Sequence, residues 1–128
     1  MRLFKTSWFN RFAAKEGILD TDLRETVNRL EAGQADADLG GGVFKVRAAR
    51  PGEGKAGGYR VIVFFKSKER TFFVYGFAKS GKDNIDKGEL RAYKRDAKIA
   101  HRLTDEQIDE RIRKGTLIEI FQEAEFEI

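Results

Sequence analysis

Between Tyr59 and Ala78 the chain holds two aromatic, β-branched runs, YRVIVFFK and TFFVYGFA, separated by a short polar break at 67–69. Runs of this composition so close together predict an antiparallel hairpin. Upstream, VFKVRAA at 43–49 alternates, with Phe44, Val46 and Ala48 on one side and Val43, Lys45 and Arg47 on the other. The three segments make a β-meander, and the rest of the fold must be built around it.

The flanks read as helices with one further strand at each end. Arg2–Thr6 suits a first strand. Ser7 is the expected N-cap of a helix carrying Trp8, Phe9, Phe12 and Ala13 at helical spacing and ending at Gly17. Leu23, Val27 and Leu30 form one apolar stripe on a second helix that stops at Gly33. The two helices form a hairpin laid on the sheet. The segment 34–42 is small, acidic and Gly-rich, which predicts a loop. The stretch 50–58, RPGEGKAGG, predicts a hairpin-type loop, and 79–83 a polar one. A long helix is expected over 84–103. A shorter one follows, opened by Thr104 and Gln107 at capping-box spacing, and 116–121 suits a terminal strand. The expectation is a single α+β domain over residues 1–128.

Composition narrows the chemistry. Hydrophobic residues make up 41% of the 128, with eleven Phe, so a packed core is available. The chain has no Cys, which excludes thiolate metal sites, disulfides and cysteine catalysis. Its one histidine, His101, leaves no paired-histidine ribonuclease, and it is expected on a helix surface away from the basic cluster. Asp105, Glu106, Asp109 and Glu110 read as helix-start and solvent-face charges. No apolar run approaches a membrane span and residues 1–6 show no secretory signal, so a cytoplasmic protein is expected. No metal and no cofactor are expected.

The net charge of +4 is unevenly placed: residues 1–42 sum to −1, 43–82 to +8 and 83–128 to −3. All the excess lies on the meander. Lys45 and Arg47 share a strand face, Arg60 opens the next strand, and Lys79 ends the last. Arg50 and Lys55 hang from the adjoining loop. Convergence of these cations would make a phosphate-binding surface; a sheet face kept soluble by cations is the plain alternative. Tyr75 and Phe77 fall on the Lys79 side of their strand, with Phe72 and Val74 facing the other way. Phe77 then either stacks on a nucleobase or fills the core. The glycines at 52, 54, 57 and 58 lack a phosphate-loop pattern and supply flexibility.

The stretch FKVRAARPGEGKAGGYRVIVFFKSKERTFFVYGFAKSGKDNI from Phe44 to Ile85 resembles the RelE/HigB family of bacterial toxins, and most of all its HigB-type branch. The tail LTDEQIDERIRKGTLIEI is similar as well. The resemblance implies a RelE-like α+β fold: a small antiparallel sheet against an N-terminal helical hairpin, with C-terminal helices. It implies the toxin of a type II toxin–antitoxin pair, a ribosome-dependent mRNA endoribonuclease that needs no metal and is neutralised by a cognate antitoxin. Ribosome and mRNA would be its targets, and operator DNA would be bound through the antitoxin. A ParE-like gyrase poison and an inactive RNA-binding relative are the alternatives on the same fold. Carried onto this chain, Lys45, Arg47, Arg60 and Lys79 are the implied catalytic cations, with Arg60 on the scissile phosphate. Arg50, Lys55, Lys82 and Phe77 are implied RNA or ribosome contacts. The tyrosine that some members carry near the C-terminal helix is missing around 83–86; Tyr93 is a distant substitute.

Overall fold

The structure is a computed structural model that describes residues 1–50, 54–78 and 85–121, leaving aside the side chains of 49–50 and 54–57. The elements run β1 (Arg2–Thr6), α1 (Ser7–Glu16), α2 (Asp20–Glu31), β2 (Ala37–Gly40), β3 (Val43–Arg50), β4 (Gly54–Lys66), β5 (Arg70–Ala78), α3 (Lys87–Arg102), α4 (Asp105–Arg113) and β6 (Leu117–Ile120). They form one six-stranded sheet in the order β2-β3-β4-β5-β1-β6. The expected meander is its centre, with Arg47 opposite Arg60 and Arg60 opposite Phe77.

Several sequence expectations need correction. The sheet is mixed, because β1 runs parallel to β5 and antiparallel to β6. The predicted 34–42 loop contains β2. The strand after the 50–58 stretch begins at Gly54, so much of that stretch is β-structure, while 51–53 lie outside the described residues. The cap of α1 is Thr6 rather than Ser7: its Oγ1 accepts from the Phe9 N–H at 3.1 Å. The capping box of Thr104 and Gln107 is present as predicted.

Each sheet face carries a core. On one, α1 and α2 bury Phe9, Ala13, Leu23, Val27 and Leu30 against Val46, Val61, Val63 and Phe73. On the other, Ala97 of α3 and Ile108 of α4 pack on Phe4, Val43, Phe64 and Phe72. β5 changes its face assignment midway. Ile62 pairs with Tyr75 but the next residue, Val63, pairs with Phe73, which leaves Val74 as a bulge. The extra residue reverses the alternation. Phe72 and Phe77 therefore share the α3 face, where uninterrupted alternation would separate them.

Just past the bulge, a Cβ on Gly76 would lie 2.4 Å from Cε2 of Phe12. The ring of Phe12 thus rests directly on strand backbone. It also stacks on Trp8 at 5.3 Å between centroids, and Trp8 stacks on Tyr75 at 4.5 Å. β1 pairs with β5 only as far as Phe73, and this aromatic ladder covers the strand edge beyond.

The far end of the sheet is clasped by charge. Arg2 donates through Nε and Nη2 to Glu119 at 2.8 and 2.9 Å, and through Nη2 to Asp109 at 3.1 Å. Arg70 reaches Asp105 at 3.0 Å and also donates to the Leu103 carbonyl. Asp105 and Asp109 therefore tie α4 to the sheet instead of only facing solvent. Arg2→Ala is expected to cost about 1–3 kcal/mol, since it strips a partly buried carboxylate of charged donors. The loss, read from urea unfolding, should shrink in high salt.

Candidate nucleic-acid interface

On the α3 face the core takes in Val43, Phe64 and Phe72 and also Ile62 and Phe77, the sheet neighbours of the cations. Lys45, Arg47 and Arg60 fall on the same face there, because strand alternation sends Val46 and Val61 into the opposite core. The register sets two rows across the sheet: Arg47, Arg60 and Phe77, then Lys45, Ile62 and Tyr75. Three of the four implied catalytic cations therefore share one face of the sheet, with Arg60 nearly buried on it. Lys79 and Lys82 lie outside the described residues, as do the side chains of Arg50 and Lys55.

The two arginines differ in access. The side chain of Arg47 is 46% exposed and that of Arg60 only 9%. Both meet one carboxylate oxygen, Oδ2 of Asp36, at 3.1 Å from Arg47 Nε and 3.3 Å from Arg60 Nε. Nη1 of Arg60 is buried and has no hydrogen-bond partner among the described residues. A buried guanidinium N–H left unmade is costly, and such groups in native proteins call for an explanation. Lys45 forms no ion pair among the described residues.

Asp36 escaped the sequence reading. It stands in a small acidic stretch that looks like a loop, and its role depends on β2 bringing it beside β3. Its N–H donates to the Lys45 carbonyl at 2.9 Å, which fixes that approach. No local signal marks it; only the pairing of 36–40 with 43–45 does.

The aromatic residues resolve differently. Phe77 is 7% exposed and packs in the α3-side core, the second of the two alternatives left open for it. Tyr75 is half-buried between Trp8 and Phe77. Tyr93 of α3 lies edge-on to Phe64, and burial, aided by the charges of Glu89 and Asp96, pushes its phenol up to about 12. The shift takes it further from the deprotonated form that a general base needs.

His101 is not a free surface group. Its ring lies edge-on to Phe72 at 5.9 Å and close to Gly42, and among the described residues neither ring nitrogen has a hydrogen-bond partner. Burial lowers its pKa from 6.5, as do the charges of Lys66 and Arg70, against a smaller opposing effect of Glu69. With the folded value below the unfolded one, the unfolded chain takes up the proton first. Stability contributed by neutral His101 is therefore complete above about pH 6.5 and is lost as pH falls toward the folded value. Urea midpoints measured from pH 7.5 to 5 are expected to fall less in His101→Leu than in the parent.

Among the described residues no three His, Asp or Glu side chains are placed to hold a metal ion, and no helix is long and apolar enough to cross a membrane.

A three-layer α+β domain with a cluster of cations on the α3 face of its sheet is what the fold and this surface define. The family described as the RelE toxin of the RelE / RelB toxin–antitoxin system matches residues 1–120, and the chain belongs to that family. It is thereby a toxin of a toxin–antitoxin system, with a cognate antitoxin as its implied partner, in a family whose members are generally endoribonucleases. No curated protein matches the chain.

Proposed function

We propose that this toxin is a ribosome-dependent mRNA endoribonuclease of the HigB-type branch, acting without a metal in the cytoplasm. The observation that carries the reading is Arg60: a nearly buried guanidinium with an unpaired N–H, directly opposite the more exposed Arg47 and beside Lys45. Nη1 is closed to solvent, so a phosphate would become its acceptor only by displacing the cover over it. In the reaction a ribose 2′-oxygen attacks the adjacent phosphorus and the bond to the 5′-oxygen breaks. The products are a 2′,3′-cyclic phosphate and a 5′-hydroxyl. The 2′-OH proton goes to a base and the leaving oxygen gains one. Arg60 and Arg47 would stabilise the charge that builds on the non-bridging oxygens, the kind of electrostatic contribution that preorganised donors make. Lys45 and Lys79 are assigned to the same phosphate and the leaving oxygen. Arg50, Lys55 and Lys82 are assigned to flanking RNA or ribosomal phosphates. The antitoxin is expected to neutralise the toxin and to carry the pair onto operator DNA.

The test is a purified translation reaction with one defined message, with new 5′ ends mapped by primer extension. Cuts at A-site codons that require ribosomes support the proposal. Intact message with blocked translation would replace it by binding without cleavage, and intact message with normal translation would redirect the search to gyrase supercoiling.

A further inference from the structure

We propose that Asp36 is a positioning residue for the two arginines of this surface, holding both guanidinium groups by their Nε sides and leaving the Nη sides for a phosphate. The proposal deepens the endoribonuclease reading and rests on it for the identity of the ligand. Three observations carry it. Oδ2 of Asp36 lies 3.1 Å from Nε of Arg47 and 3.3 Å from Nε of Arg60, so one oxygen addresses the same nitrogen of both side chains. The Asp36 side chain is 20% exposed and that of Arg60 9%, so their contact is poorly screened by solvent. Nη1 of Arg60 has no partner among the described residues, so the carboxylate has not consumed the bonding capacity of that group, which a ligand reaches only by displacing its cover.

A purely structural role is the competing explanation, and the geometry weighs against it. The approach of the 34–40 segment to β3 is already secured by backbone: the Asp36 N–H donates to the Lys45 carbonyl, and Ala37 pairs with Lys45. The carboxylate adds nothing to that pairing. What it does is join two like charges that stand opposite each other on neighbouring strands, an arrangement that is otherwise repulsive. The Nε–H of Arg47 donates to Oδ2 and Arg60 meets the same oxygen as a close ion pair, so both guanidinium groups are steered and meet a phosphate at a lower ordering cost.

The second competitor is that Asp36 merely occupies the site as an anion and is displaced by substrate. The two ideas predict opposite effects of removing the charge. If Asp36 only competes, Asp36→Asn should improve binding and cleavage together. If it positions, Asp36→Asn should split them.

The experiment uses the full-length toxin and its Asp36→Asn and Asp36→Glu variants. Each is measured for kcat and KM in the translation reaction and for affinity to a non-cleavable 2′-O-methyl RNA decamer. Each is also measured for the Nε–Hε signals of Arg47 and Arg60 by ¹⁵N–¹H NMR. Asp36→Asn is expected to lower kcat about 10²-fold, the scale of a modest misplacement, with KM unchanged or lower and decamer affinity unchanged or higher. Both arginine signals should shift and lose protection from exchange. Asp36→Glu, which keeps the charge, should restore decamer affinity to the parent value and recover part of kcat. Unchanged arginine signals in both variants would overturn the proposal, as would a kcat equal to or above the parent in Asp36→Asn. The NMR readout stands apart from activity. If the parent toxin cuts no message, the endoribonuclease reading fails while the arginine signals still decide whether Asp36 holds the two side chains.

Discussion

Replacing Arg60 by methionine is expected to lower message cleavage about 10²–10³-fold, the cost of losing one preorganised donor to a developing oxyanion. Methionine is the informative choice because it keeps an apolar stem in a nearly buried position. Asp36 keeps its contact with Arg47 in the variant, so no carboxylate is stranded. The guanidinium that leaves takes an unpaired buried N–H with it. Thermal stability should accordingly stay close to that of the parent. Arg60→Lys should recover only part of the activity, since an ammonium keeps the charge without the two-pronged geometry. Primer extension on the same message reads the parent and both variants. Cleavage by Arg60→Met at the parental rate would take the guanidinium out of the mechanism altogether.

The second large effect is expected at Gly76. A methyl group there would sit 2.4 Å from Cε2 of Phe12 and 2.9 Å from its Cζ. Contacts that short force the ring, and with it α1, away from the sheet. Overpacking of this kind costs about 1–3 kcal/mol. The displaced ring also stacks on Trp8, and Trp8 on Tyr75, so the strain runs toward the strand that ends at the cationic face. Gly76→Ala should lower the urea midpoint, and Gly76→Val should lower it further. In the background of Phe12→Ala the same Gly76→Ala change should cost far less, because the clashing atoms are gone. Equal costs in the two backgrounds, read as a double-mutant cycle, would show that the ring yields freely.

Why the meander could be read from sequence and other parts could not is a matter of range. Alternation at 43–49 and the aromatic runs at 59–66 and 71–78 are period-2 signals carried within each strand, and they placed Lys45, Arg47 and Arg60 on one face. The cap at Thr104 and the stop at Gly17 are local for the same reason. The misread features depend on partners elsewhere in the chain. β2 has four residues of weak strand propensity and exists through pairing with β3. The bulge at Val74 has no residue-level mark, and it reversed the facing of Tyr75 and Phe77. Asp36 is one acid among several until β2 docks, and only then does it meet two arginines. The RPGEGKAGGYR stretch points to the family but says nothing of Asp36, which lies upstream of it.

The sharing of Asp36 also bears on how binding should respond to ionic strength. A polyanion captured by protein cations frees the small ions that had condensed on it, by about 0.7 per phosphate neutralised on a single strand. Three independent cations would set a slope of about −2.1 in a plot of log affinity against log salt. Here Arg47 and Arg60 divide one carboxylate, so Lys45, Arg47, Arg60 and Asp36 together present a charge nearer to two. The expected contribution is about −1.4. A surface that brings its own counterion gives up some grip on polyanions at large, and its preference for one phosphate must then come from geometry more than from charge.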